Sequence, residues 1–318
     1  MQLAEEVIGL FPEYLRFKWK DVARMGESLQ EIRLRCQRPV MIYAQGEEWY
    51  LDGSGRLTRE IENAQLLSRD ELTQILKHIC RYSLYAYEEE MSRGYMSADG
   101  GFRVGIAGEV ILNPDGSVKN VRYISSLNIR IAHEARGAAA PVLPWLYDGG
   151  RLENVLILSP PGCGKTTLLR DIIRMVSDGN DCAQGQTVGV VDERSEIAGC
   201  FQGIPRNDVG KRTDVLDGCP KGEGMMMLLR SMAPRVMAVD ELGSQEDVGA
   251  LEQVLKCGCS VLATIHGSSY EELCQKRFLQ PLLEGHVFGR FLVLGKRDGK
   301  FVVEQVRDSD GRILAEGL

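Results

Sequence analysis

The sequence predicts an α/β chain: a parallel-sheet domain built around a phosphate-binding loop, preceded by a smaller α+β domain. Three observations lead there. Residues 155–158 form a short, branched apolar run, followed by the loop Ser159-Pro160-Pro161-Gly162-Cys163-Gly164 and by an amphipathic helix opened by Lys165-Thr166-Thr167. Beyond that helix, strand and helix signals alternate, with apolar runs at 187–193, 235–241 and 259–266 that each end in acids or a histidine. That is how a sheet covered on both faces reads. The first half of the chain instead mixes alternating strands with one clear helix, as an α+β unit does.

A length of 318 residues suggests two domains, at roughly 100–200 residues each. We place them at 1–147 and 148–318, with the small-residue, proline-containing stretch 135–144 as the joint. Hydrophobic content of 44% and charged content of 26% are those of a globular protein. A net charge of −7 argues against a sequence-indifferent grip on nucleic-acid phosphates, so no direct nucleic-acid partner is expected. No apolar run reaches the roughly 18–20 residues that span a bilayer. The first residues carry acids where a signal peptide carries Lys or Arg. The expected place is cytoplasmic, with docking onto a membrane complex left open. The nine cysteines form no C-x-x-C, and Cys257 and Cys259 are too close for zinc spacing, so reduced thiols are expected. Cys163 differs, because a helix N-terminus favours a thiolate.

Taken in order, residues 1–30 read as broken helix, and residues 30–50 as an antiparallel pair. Asp52-Gly53-Ser54-Gly55 is a turn. The clearest helix of this half is expected over 68–87. Ser68 and Glu71 there form a capping box, and Leu72, Ile75, Leu76, Ile79 and Cys80 share one face. Residues 94–112 read as a hairpin turning at Asp99-Gly100-Gly101, and further strand text runs to about 132. In the second half, residues 199–224 read as a long glycine-rich loop carrying Lys211 and Arg212. The tail reads as a hairpin turning at Arg297-Asp298-Gly299.

The strand, glycine loop and helix N-terminus around Lys165 make an anion cradle, with backbone N–H groups and the helix dipole facing phosphate. The expected nucleotide-binding residues are Ser159, Pro160, Pro161, Gly162, Cys163, Gly164, Lys165, Thr166 and Thr167. Lys165 would reach the β/γ-phosphates and Thr166 would ligate Mg²⁺. The first glycine of the G-x-x-x-x-G-K-[ST] pattern is Ser159 here, a small change while Gly162 and Gly164 remain. Asp240 and Glu241 follow four apolar residues. Asp240 suits the Mg²⁺ shell, and Glu241 suits orientation or deprotonation of the attacking water. Glu193, in Asp192-Glu193-Arg194-Ser195-Glu196, is the rival for that water, and Arg194 is a partner for a carboxylate or a phosphate. His266 ends the third apolar run, where a neutral imidazole could sense the γ-phosphate.

The order of these elements resembles the secretion ATPases of type II and type IV systems, which are RecA-like ring proteins with Walker A, Asp-box, Walker B and His-box elements. The segments SLNIRIAHE, PPGCGKTTLLRDI, DERSEIAG, RTDVLDGCPKGEGMMMLLRSMAPRVMAVDELG and ATIHG resemble more narrowly the stage III sporulation AA family. The resemblance implies a RecA-like P-loop ATPase using ATP and Mg²⁺. It further implies a homo-oligomer, expected as a hexamer, on the mother-cell side of a membrane-embedded channel complex during endospore formation. It also implies arginines from the N-terminal domain near the phosphates, and Arg103 and Arg130 match by position. Two features depart from the pattern: the Cys₄ zinc insertion of pilus-type relatives is absent, and Asp240-Glu241 stands where those relatives tend to have Gly-Glu. The division of labour among Asp240, Glu241 and Glu193 therefore stays open. A nucleotide-gated scaffold with little hydrolysis and a nucleic-acid-dependent ATPase are the alternative functions.

Overall fold

The computed structural model describes residues 2–131, 135–297 and 300–318. The chain divides into two compact units, Met1–His133 with Gly199–Arg206, and Glu134–Ala198 with Asn207–Leu318. The sequence suggested a boundary near 148. The difference lies in the stretch expected to be a joint, which is tied into the second unit. The Ala139 N–H donates to Asp171 at 2.8 Å, the Trp145 carbonyl accepts from Arg290 at 2.6 Å, and Val142, Leu143 and Leu146 are buried.

The first unit opens with α1 (Gln2–Gly9) and α2 (Lys20–Arg24), between which Phe11 and Trp19 stack at 3.8 Å between centroids. Its antiparallel sheet contains β1 (Leu29–Arg35), β2 (Met41–Ala44), β3 (Glu47–Leu51) and β4 (Leu57–Thr58). After α3 (Arg69–Ile79) and α4 (Glu88–Ser92) come β5 (Tyr95–Ala98), β6 (Phe102–Leu112) and β7 (Val118–Arg130). The strand order is β4-β3-β2-β1-β7-β6-β5. The expected antiparallel pair at 30–50 is thus three strands. Ser68 and Glu71 form a capping box on α3, as their spacing predicts, and Leu72, Ile75, Leu76 and Ile79 are buried. The helix stops well short of 87 because Arg81 and Tyr82 take φ of 48° and 61°, outside right-handed helix space.

The second unit begins with a ribbon of β8 (Tyr147–Asp148) and β9 (Arg151–Leu152). Its main sheet draws on β10 (Val155–Ser159), β11 (Val188–Asp192), β12 (Thr213–Asp217), β13 (Val236–Val239) and β14 (Ser260–His266). The helices are α5 (Lys165–Asp178), α6 (Lys221–Ser231), α7 (Gln245–Lys256), α8 (Tyr270–Cys274) and α9 (Gln280–Glu284). Strands β15 (Arg290–Arg297), β16 (Lys300–Asp308) and β17 (Ile313–Glu316) complete the order β12-β11-β13-β14-β10-β15-β16-β17. The sheet is parallel from β12 to β15 and antiparallel beyond. Strands β10, β11 and β13 are buried at every residue, which is why they read as unbroken apolar runs. Residues 298 and 299 of the expected tail turn lie outside the described residues.

The stretch 199–224 is not one loop. Gly199–Arg206 belongs to the first unit, where Phe201 is buried in the core with the Arg81 and Arg206 guanidinium carbons 5.2 and 5.4 Å from its ring centroid. Residues 213–217 are β12, and Pro220 caps α6. Arg212 donates to the Ser177 carbonyl at 3.0 Å, closing the C-terminal end of α5. All nine cysteines are free thiols. Among the described residues, no helix is long and apolar enough to cross a membrane.

Asp171, 4% exposed, also accepts from Arg174 at 2.7 Å. Asp171→Ala orphans the buried Ala139 N–H, so urea unfolding should show a loss of about 1–3 kcal/mol; an unchanged midpoint would mean the 135–146 segment is not anchored there.

Candidate functional site

The carboxyl ends of β10, β11, β13 and β14 bring the expected residues of the second unit together. Ser159, the last residue of β10, is the register partner of His266 on β14. Between β10 and α5 the chain turns through Gly162 and Gly164 at φ of 73° and 81°. Only glycine takes such values without cost, and here they set the loop backbone at the mouth of a fourteen-residue helix. Ser159 is fully buried and donates its hydroxyl to the Pro160 carbonyl at 2.8 Å, so serine fits where a first glycine was expected.

Lys165 opens α5 with its side chain 5% exposed. Its Nζ lies 2.9 Å from His266 Nδ1 and 3.8 Å from Glu241 Oε1. His266 Nε2 lies 2.8 Å from the same Glu241 oxygen, and Arg194 Nη1 donates to Glu241 Oε2 at 2.7 Å. An imidazole whose Nδ1 accepts from the Lys165 ammonium would carry its proton on Nε2, facing Glu241. One carboxylate thus answers a lysine, a histidine and an arginine. Glu241 adopts φ of 48° to do so, a left-handed conformation that costs a non-glycine residue about 1–2 kcal/mol. Its N–H donates to Thr264 Oγ1 at 2.9 Å, and Thr264, fully buried, in turn donates to Asp240. Thr166 donates to the other Asp240 oxygen at 2.8 Å. Burial pulls the Lys165 pKa below the ordinary lysine value, with Glu241 and Asp240 acting in the opposite direction.

The second acidic strand end divides its labour. Asp192 is buried and accepts N–H groups of Glu196, Ile197 and Ala198 at 2.8, 3.1 and 2.8 Å, so it shapes the turn. Burial pushes its carboxyl up, against those donors. Glu193 pairs with Lys221 at the start of α6, and Arg194 takes the carboxylate option. Two contributors were missed in the sequence. Lys221 opens a helix inside text read as loop. Arg170 lies on the buried side of α5 and donates to the Glu196 and Ile197 carbonyls, each at 2.6 Å. Arg103 and Arg130 stand in the first unit as direct cross-strand partners on β6 and β7. Arg103 lies 4.1 Å over the Tyr95 ring, and Arg130 Nε is 3.7 Å from Glu31.

Chemically, the site offers a backbone cradle and an ammonium for phosphate oxygens. The adjoining Thr166 hydroxyl and Asp240 carboxylate form the all-oxygen donor pair that suits Mg²⁺. Among the described residues, no three His, Cys, Asp or Glu side chains converge to hold a metal by themselves.

The family model described as "Sporulation stage III, protein AA" matches residues 2–314. The chain belongs to this family. Within it, stage III sporulation protein AA of Bacillus subtilis (strain 168) is 43% identical over 311 residues, covering 98% of this chain and 97% of that protein. Among solved structures, the Legionella pneumophila ATPase DotB aligns with a TM-score of 0.61 at 16% identity, covering 94% of this chain and 82% of DotB. The pilus retraction motor PilT with bound ADP aligns with a TM-score of 0.58 at 16% identity, covering 87% and 76%. This sporulation stage III AA family member therefore shares its fold with DotB and PilT.

The desolvated lysine makes a signed pH prediction. A lysine whose folded pKa is lowered disfavours the folded state below that pKa, and the penalty is relieved as pH rises toward the unfolded value, about 10.4. Without nucleotide, wild-type stability measured against Lys165→Met should rise with pH through that interval; a flat difference would contradict the burial of this charge.

Proposed function

We propose that this family member is a Mg²⁺-dependent ATPase, working as a ring-shaped homo-oligomer, expected as a hexamer, that energises a membrane-embedded channel complex during endospore formation. The observation that carries this reading is the convergence of Lys165, Thr166, Asp240, Glu241 and His266 beside the glycine loop. In this reading the backbone from Gly162 to Thr167 cradles the phosphates, with Ser159, Pro160, Pro161 and Cys163 shaping the turn. Lys165 exchanges Glu241 for phosphate oxygens, replacing one anion by another. Thr166 and Asp240 would hold Mg²⁺, which when bound neutralises phosphate charge. Freed from Lys165, Glu241 keeps the water aligned and accepts its proton. His266 bridges Lys165 and Glu241, and so relays whether a terminal phosphate is present.

Glu193 is the weaker candidate for the base, since it pairs with Lys221 at the start of α6, whereas Glu241 stands against the phosphate-loop Lys165 itself. Arg103 and Arg130 would supply charge to the phosphates. They stand opposite one another on β6 and β7, Arg103 over the Tyr95 ring and Arg130 beside Glu31. The protein would work on the cytoplasmic face of its membrane complex, on the mother-cell side, without nucleic acid.

A second reading, a nucleotide-gated scaffold that hardly turns over, draws on the three partners that occupy Glu241. Phosphate release separates the two. In the first, Lys165→Ala falls to background, and Glu241→Gln keeps nucleotide binding but slows turnover roughly 100-fold or more. Undiminished turnover in Lys165→Ala would end the ATPase reading, whereas negligible turnover in both wild type and Glu241→Gln, with binding intact, would favour the scaffold.

A further inference from the structure

We propose that Phe301 is the base-contacting residue of the nucleotide site, its ring stacking on a nucleobase and giving a nucleoside triphosphate its advantage over a bare triphosphate. This rests on the nucleotide-binding reading above and adds the part of the ligand that the phosphate loop cannot recognise.

Strand order supplies the first premise. Asp240, Glu241 and His266 all follow β13 and β14, on one flank of β10. A triphosphate whose terminal phosphate faces those residues runs its sugar and base toward the opposite flank. That flank is built by β15 and β16, since β15 pairs with β10 and β16 with β15.

The second premise is what this flank presents. Phe301 is half-buried near the start of β16, and its ring lies against the phosphate loop. A Cβ on Gly164 would come within 2.6 Å of Phe301 Cδ1 and 2.7 Å of Cγ. Gly164 is thus glycine for two reasons, its φ of 81° and the ring laid on it. The ring packs on the loop, and the residue as a whole is only half-buried. Aromatic faces take bases of any sequence by stacking. The cross-strand partner of Phe301, Lys296, is exposed.

A ring in this place has a plainer role, propping the loop, and the two roles separate by ligand. Inorganic tripolyphosphate carries the phosphates without a base. Binding of Mg·ATP and of Mg·tripolyphosphate to the full chain is measured by calorimetry for wild type, Phe301→Leu and Phe301→Tyr. Leucine keeps apolar bulk against Gly164 but loses the flat face; tyrosine keeps the face. The expected result is ATP binding weakened roughly 5- to 100-fold in Phe301→Leu, tripolyphosphate binding unchanged, and near-wild-type affinity for both ligands in Phe301→Tyr. An equal loss for both ligands in Phe301→Leu, or no loss for either, overturns the proposal and leaves the nucleotide reading standing. Wild-type protein that binds neither ligand overturns the nucleotide reading itself, and this proposal with it.

Discussion

The second unit holds a lysine out of water at the mouth of a helix whose dipole also opposes its charge, and the site's other contacts offset that cost. Lys165 is buried at the N-terminus of α5, where positive charge is disfavoured. Its position is tolerable because Glu241 and His266 stand against it. Glu241 in turn needs its strained backbone, its N–H bond to Thr264 and its ion pair with Arg194. Each of these reaches back to a buried parallel strand. The sheet is therefore more than a scaffold for the loop: it holds Glu241 and His266 against the buried lysine.

The same economy explains the two acidic strand ends. Asp192 and Asp240 look equivalent in sequence, each the first acid after an apolar run. Their surroundings separate them. Asp192 meets three backbone N–H groups and becomes a turn-former, whereas Asp240 meets two side-chain hydroxyls, those of Thr166 and Thr264. Neighbouring donors, more than residue type, decide which carboxylate is available for chemistry. Arg170 extends this from behind, holding the carbonyls of the turn that Asp192 holds by its N–H groups.

Much of this was legible in the residues. The phosphate loop, the acidic strand ends and His266 are local patterns, and burial on both faces of a sheet forces their flanks to be apolar. Features set by distant contacts were not legible. Strand β12 mixes charged and apolar residues because it lies at the sheet edge, and its glycine-rich flanks hid it. Phe201 reads as a loop aromatic until the first unit's core closes around it. The end of α3 is set by the left-handed turn at Arg81 and Tyr82, residues with no glycine to announce it. The joint expected at 135–144 has the small residues and prolines of a linker, yet Asp171 holds its Ala139 N–H and Val142 and Leu143 are buried.

Calorimetric titration of Mg·ATP into three forms of the chain tests most directly whether Lys165 exchanges its internal carboxylate, Glu241, for phosphate. Wild type should bind, Lys165→Ala should not, and Glu241→Ala, with the competing anion removed, should bind at least as tightly as wild type. Binding that survives Lys165→Ala unchanged, or that Glu241→Ala abolishes, would contradict it.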